Sequence, residues 1–288
     1  MDQRKRKTKI MNVGIVLVVL SCLFAGYSLY TQYQAYQKQL TVVDELKESL
    51  NSLQQQADDI KNIDTKIEEA KDNYYNSIVQ LEKDIKNNKS DKKIAYITID
   101  DGPYELTHEF LRVLEEHDVK ATFFTLMKPD RKHIYEKILA QGHMIGNHTA
   151  SHALGQGGIY SSTSRFVNDI RTLEKWLEEQ FGYTPTLFRF PGGAATSGNL
   201  KESIVNALKD DYKYVEWNVD VGDGSTVLME NGRPYEYFLS QIDQQNVAVI
   251  LMHDYSEKTI EDLPKMIEYL KNNGYLILPL TNRSTAVY

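Results

Sequence analysis

The sequence predicts an α/β domain built on a parallel sheet or barrel, preceded by a transmembrane helix and a long helical stalk. Residues 10–30 carry no charge in 21 positions. From residue 31 to about residue 90 there is neither Pro nor Gly, and apolar residues recur at spacings of three and four. Beyond NNKSDKK (87–93), short β-prone runs alternate with amphipathic helical stretches, as in a parallel sheet. The 288 residues are 41% hydrophobic and 25% charged, ordinary for globular protein. The net charge of −7, with no basic stripe in the C-terminal part, argues against a nucleic-acid partner. One cysteine, Cys22, excludes an intrachain disulfide and a cysteine metal cluster.

The first element is the apolar run. Residues 1–9 hold Arg4, Lys5, Arg6, Lys7 and Lys9, and residues 10–30 follow as IMNVGIVLVVLSCLFAGYSLY. About 20 apolar residues span a bilayer as a helix. Basic residues before the span keep that end in the cytoplasm, which places the rest of the chain outside the cell membrane. A cleaved signal peptide needs a shorter core and a small-residue site. A lipoprotein signal would use Cys22, yet LFAGYSLY after it stays apolar. An uncleaved, single-pass signal anchor fits best, with Tyr27, Tyr30 and Tyr33 at the outer interface.

The second element is the stalk, with its linker, over 31–92. Leu40, Val43, Leu46, Leu50, Leu53, Ala57, Ile60, Ile63, Ile67, Ala70, Tyr74, Ile78, Leu81 and Ile85 form an apolar seam on a helix otherwise covered by Gln, Asp, Glu and Lys. The seam predicts a coiled-coil-like stalk that pairs with a second copy of the chain. The step from Ile60 to Ile63 breaks the heptad by a stutter.

The domain spans 93–288. Strands are predicted at 94–100, 120–126, 143–149, 186–192, 212–220, 246–254 and 275–280, with helices at 106–118, 164–181 and 260–273. In parallel β/α folds, functional residues gather at the C-terminal ends of strands. Here the first predicted strand ends in Asp100 and Asp101, and the third in NHTASH with His148 and His152. The fourth ends in FRFPGG with Arg189, Gly192 and Gly193, the fifth in NVDVGDG with Asp220 and Asp223, and the sixth in LMHD with His253 and Asp254.

These residue types suit metal-assisted hydrolysis. Two imidazoles and a carboxylate with an open position form a catalytic zinc layout. Adjacent aspartates repel, and a cation bound by one relieves the cost. The other could take a proton from water made acidic by the metal. Arg189 could hold that base through a bidentate pair. His253 could protonate a leaving group, and backbone N–H groups at PGG could stabilise an oxyanion. His108, His117, His133 and His143 show no such strand-end pattern and read as surface or structural residues.

The chain from about 93 to 281 resembles the polysaccharide deacetylases, carbohydrate esterase family 4, with the NodB-homology domain. Five motifs carry the resemblance in order: TIDD (98–101), HTASH (148–152), RFPGG (189–193), DVGDG (220–224) and VILMH (249–253). The resemblance implies an irregular (β/α)7-type barrel. It makes Asp100 the base, with Asp101, His148 and His152 as metal ligands, and Arg189 the residue orienting the base. Gly192 would supply the oxyanion N–H, Asp223 would tune His253 as general acid, and Leu251 would wall the acetyl pocket. Two positions depart from the family: Gly224, where tryptophan is common, and Gly192, where an aromatic is common. Both open the groove.

The expected function is metal-dependent removal of N-acetyl groups from a cell-envelope polysaccharide, N-acetylglucosamine of peptidoglycan first. Zinc is the expected ion, with cobalt and nickel also suited to these ligands. The alternatives are an O-acetyl esterase acting on a wall glycan and a catalytically silent glycan-binding envelope protein.

Overall fold

The computed structural model describes residues 2–285; residues 286–288 and the side chains of residues 2–14, which include the predicted basic tail and the start of the predicted anchor, and of residues 227, 229 and 231 lie outside the described ones. Two compact units form, Met1–Asp72 and Asn73–Tyr288. Helix α1, Asp2–Lys86, spans 85 residues; it contains no Pro, and its two glycines, Gly14 and Gly26, fall in the apolar run rather than in the stalk. Its apolar window has a mean hydropathy of 1.7 and is long enough to cross a membrane, a candidate anchor. Along the first unit Leu46, Leu50 and Leu53 are each more than 60% exposed, so the seam is uncovered in a single chain.

In the second unit, β1 (Lys93–Asp100) leads to α2 (Thr107–Glu116), β2 (Thr122–Thr125), α3 (Lys132–Ala140), β3 (Met144–Asn147), α4 (Thr163–Phe181) and β4 (Leu187–Phe188). Then come α5 (Lys201–Leu208), β5 (Lys213–Tyr214), β6 (Val219–Asp220), α6 (Thr226–Asn231), α7 (Pro234–Ile242), β7 (Val247–His253), α8 (Glu257–Asn272) and β8 (Tyr275–Ile277). All described pairings are parallel, in the order β5-β4-β3-β2-β1-β7-β6, with β8 beside the first half of β1. The result is a curled half-barrel, the irregular α/β barrel class expected.

One strand expectation is corrected. Residues 212–220 do not form one strand but two short ones, β5 and β6, at opposite ends of the sheet order. The segment between them gives the carbonyls of Val215 and Glu216 to the Arg189 guanidinium instead of a strand neighbour. That leaves the curl open between β5 and β6.

The two-residue period of β1 sorts its side chains. Ala95, Ile97 and Ile99 pack in the core that also holds Phe110 and Leu114 of α2 and Leu263, Met266 and Ile267 of α8. Ile94 and Tyr96 join the interior cluster with Phe124, Val247 and Val249. Burying a large aliphatic or aromatic side chain contributes about 1.5–3 kcal/mol, so this two-faced burial dominates the domain's stability. The last turns of α1 take part: Ile85 belongs to the interior cluster, and buried Glu82 accepts hydrogen bonds from Tyr96 Oη and from Thr285 N and Oγ1.

Candidate active site

Asp100 lies on the same face of β1 as Tyr96 and Thr98, so the strand carries its carboxylate inward. β1 and β7 run in register, pairing Thr98 with Leu251 and Asp100 with His253. The candidate base and acid are therefore neighbours across one strand pair. Asp101 follows the strand with φ of 73°, the left-handed region. Thr149 and His152 take φ of 71° and 51°. Such conformations cost non-glycine residues about 1–3 kcal/mol and persist where surrounding structure imposes them. All three belong to the two segments that bring the candidate ligands together.

Asp101 Oδ1 stands 3.4 Å from His148 Nε2 and 3.3 Å from His152 Nε2. It is buried and has no hydrogen-bond partner. An orphaned buried carboxylate oxygen between two ring nitrogens fits a divalent cation. Ligand atoms about 2.0–2.2 Å from a tetrahedral ion lie a little over 3 Å apart. His148 Nδ1 lies 3.0 Å from the Arg189 carbonyl, which can only accept; Nδ1 therefore carries the proton and Nε2 is free to ligate. Burial opposes ionisation of Asp101, but the close approach of His148 and the charges of His148, His152 and His253 outweigh it and hold the group at about 2. Burial, reinforced by His148, lowers the affinity of His152 for protons, which keeps it in the ligating form.

Arg189 is wholly buried. Its Nη1 donates to Asp100 Oδ1 at 2.8 Å and to Thr98 Oγ1 at 2.7 Å; Nε and Nη2 donate to the carbonyls of Val215 and Glu216. The expected bidentate pair with the base is thus a single contact. The guanidinium spends three further donors on Thr98 and on the carbonyls of Val215 and Glu216, because a buried cation needs partners for its N–H groups. Its plane lies against the Phe124 ring at 4.2 Å. Gly146 permits this layer, since a Cβ there would come within 2.4 Å of the Phe124 ring. With Oδ1 held, Asp100 turns Oδ2 toward His148 Nε2, 3.7 Å away.

His253 Nδ1 lies 2.7 Å from Asp223 Oδ1, so Nδ1–H donates and Nε2 is left for chemistry. Asp223 Oδ2 accepts from the His253 backbone N–H and from Thr259 Oγ1. Burial disfavours the charged imidazole. The Asp223 hydrogen bond and the charges of Asp223, Asp100 and Asp101 prevail and raise His253 to about 9.

These residues meet in one cleft of about 400 Å³, lined by Asp100, Asp101, His148, His152, Gly192 and His253, with Leu251 and Trp217 in its wall. Arg189 and Asp223 stand behind it. Gly192, with φ of 71°, lines the cleft, and its N–H donates to no protein atom among the described residues. A second cleft of similar volume, between Thr186 and Tyr214, contains none of these groups. The predicted structural histidines stay apart. His143 is buried and its Nδ1 accepts from the Ala121 N–H; His108 and His133 meet each other on the surface.

Sequence reasoning missed Trp217, Tyr255, Thr98 and Thr259. Tyr255 stacks on His253, with centroids 5.1 Å apart. At Gly224 the backbone runs close against His253, since a Cβ there would fall 2.8 Å from His253 Cε1. Aromatic walls come instead from Trp217 and Tyr255. Only the proximity of Tyr255 to His253 in sequence could have signalled it.

Residues 87–211 match the polysaccharide deacetylase family. The chain is 30% identical over 201 residues to a protein of Bacillus cereus named peptidoglycan-N-acetylglucosamine deacetylase, an alignment covering 65% of this chain and 69% of that one. Its fold is similar to the catalytic domain of peptidoglycan N-acetylglucosamine deacetylase from Eubacterium rectale, with a TM-score of 0.63 and 31% identity over 68% of this chain and 92% of that one. A CE4 esterase from Streptococcus mutans aligns with a TM-score of 0.60 and 29% identity over 66% and 87% of the two chains. With the family's domain matched and a relative of this identity covered over more than two thirds of its length, the chain belongs to the polysaccharide deacetylases of carbohydrate esterase family 4, metal-dependent hydrolases.

Proposed function

We propose that the protein hydrolyses the N-acetyl group of N-acetylglucosamine in peptidoglycan, releasing acetate and a free amino sugar. The observation that carries the reading is the unpaired Asp101 Oδ1 between His148 and His152, with Asp100 and His253 on either side. The names of the relatives from Bacillus cereus and Eubacterium rectale support the choice of polymer.

In this reading Asp101, His148 and His152 hold a divalent ion, zinc by ligand type. When bound, the ion supplies Lewis-acid chemistry, polarising the acetyl carbonyl and making water more acidic. Asp100 takes the proton of the attacking water at Oδ2, because Arg189 occupies Oδ1. The Gly192 N–H receives the developing oxyanion, and Leu251 packs against the acetyl methyl. His253 delivers a proton from Nε2 to the departing amine while Asp223 stabilises the imidazolium.

The chain is organised as a cytoplasmic tail (1–9), a signal anchor (10–30), a paired helical stalk and linker (31–92) and an extracellular deacetylase domain (93–288). The candidate span in α1 and the uncovered seam support this arrangement.

The test uses the full chain in detergent, assayed for acetate release from acetylated cell wall and from chitin oligomers, with and without chelator. Chelation is expected to abolish release and zinc to restore it. Asp100→Asn is expected to lower kcat by about 10²–10⁴-fold, the usual scale for a general base. Release from an O-acetyl ester but from no amide would overturn the substrate. An Asp100→Asn protein as active as wild type would overturn the mechanism.

A further inference from the structure

The cleft has an aromatic side that the hydrolytic roles do not use. Tyr255 is 40% exposed, lines the cleft and stacks on His253 with ring planes 28° apart. The edge-on contact with Tyr104 places their centroids 5.7 Å apart. Lys128 Nζ lies 3.2 Å from the Tyr104 ring centre and donates to the Asp101 carbonyl at 2.9 Å. The two tyrosine hydroxyls have no partner among the described residues.

This wall rests on a built base. Asp254 is wholly buried and accepts from Thr107 Oγ1, which in turn accepts from the Tyr104 N–H at 2.7 Å. Gly102 passes so close that a Cβ there would lie 2.1 Å from Asp254 Oδ2. One buried carboxylate thus ties the loop after β1, which carries Tyr104, to the end of β7, which carries Tyr255. Rings held this way lose little freedom on binding, which favours a ligand surface.

We propose that Tyr255, backed by Tyr104, forms a sugar-ring subsite beside His253 that binds the pyranose bearing the scissile acetamide. This rests on the proposed deacetylation, in which His253 Nε2 faces a nitrogen attached directly to that ring. A pyranose so placed must lie within one ring's width of His253, and Tyr255 occupies that distance. Its chemistry matches: a sugar's C–H face packs against the aromatic ring, and the free hydroxyls meet sugar hydroxyls. Gly224 sharpens the assignment. A Cβ at Gly224 would displace the His253 ring, and the aromatic contact adjoining the general-acid candidate is Tyr255.

The experiment measures the affinity of the zinc-loaded full chain for an N-acetylglucosamine pentamer by calorimetry, in an Asp100→Asn background so that the sugar is not consumed. Adding Tyr255→Ala is expected to weaken binding about fivefold to tenfold, the scale of one aromatic contact, while Tyr255→Phe stays within about twofold of the parent. Tyr255→Leu keeps bulk without a ring and is expected to bind like Tyr255→Ala. Pentamer affinity unchanged in Tyr255→Ala, or fully recovered in Tyr255→Leu, overturns the subsite. So does a fall in kcat of the otherwise wild-type Tyr255→Ala protein with unchanged pentamer affinity, which would make Tyr255 only a packing partner of His253. If wild type releases no acetate but binding still depends on the Tyr255 ring, the deacetylation reading falls and the subsite stands.

Discussion

At the scale of single residues, the adjacent carboxylates of TIDD are separated by backbone geometry. The strand period sends Asp100 inward to Arg189, and the left-handed turn at Asp101 aims its oxygen at two histidines. The types and order of these residues were legible in the sequence. The left-handed conformations of Asp101, Thr149 and His152 were not, because φ > 0 is uncommon for any of these residues, most of all for β-branched Thr149, and is imposed by contacts across the fold. The bidentate expectation for Arg189 failed for a similar reason: sequence spacing cannot show which carbonyls compete for a buried guanidinium. A prediction belongs at this scale. His253 must be protonated to act as an acid, so activity falls as pH rises through its pKa, which Asp223 helps to raise. In Asp223→Asn the raising hydrogen bond and charge are weakened while burial still lowers the group. The alkaline limb of kcat/KM is expected to move down by about one pH unit or more. A cation at Asp101 also lowers the pKa of His253, but in both proteins. An alkaline limb that does not move would rule out coupling between Asp223 and His253.

At the scale of elements, the last turns of α1 belong to the same compact unit as the sheet, where the sequence had suggested only stalk and a polar linker. Unbroken helical periodicity gave no sign of the change, because a seam residue looks alike whether it meets a partner helix or a sheet interior. Glu82 was the hidden clue: a charged residue with no exposure, satisfied by Tyr96 and the chain near its end. Glu82→Leu would remove the buried acceptor that Tyr96 Oη and the Thr285 N–H and Oγ1 share, and is expected to cost about 1–3 kcal/mol. Denaturant unfolding of a fragment starting at residue 73 is expected to show that loss in the variant. A fragment starting at residue 90, which also lacks Ile85, is expected to be less stable still. Equal unfolding midpoints for the three proteins would mean that this helix end contributes nothing to the domain.

At the scale of the whole molecule, the chain joins a candidate membrane anchor, a helix with an uncovered apolar seam and a hydrolase domain. Val43, Leu46, Leu50, Leu53, Ala57 and Ile60 keep heptad spacing, and in the described chain nothing covers Leu46, Leu50 or Leu53. A helical partner buries such a seam, and two anchors in one membrane require it to run parallel. Leu50→Glu with Leu53→Glu is expected to convert a dimer to a monomer in detergent, read by sedimentation or by cross-linking in membranes. A wild-type chain that sediments as a monomer would exclude the paired stalk. The amino-acid order by itself determined the anchor candidate, the helical stalk, the alternating α/β pattern and the identity of every group at the strand ends. Those follow from composition and periodicity, which are local. Tertiary structure alone decided which strands close on which, that residues 212–220 divide between opposite ends of the sheet, and that Arg189 reaches Asp100 through one nitrogen. Those depend on contacts between residues far apart in the chain, where packing and satisfied buried polar groups override local preference.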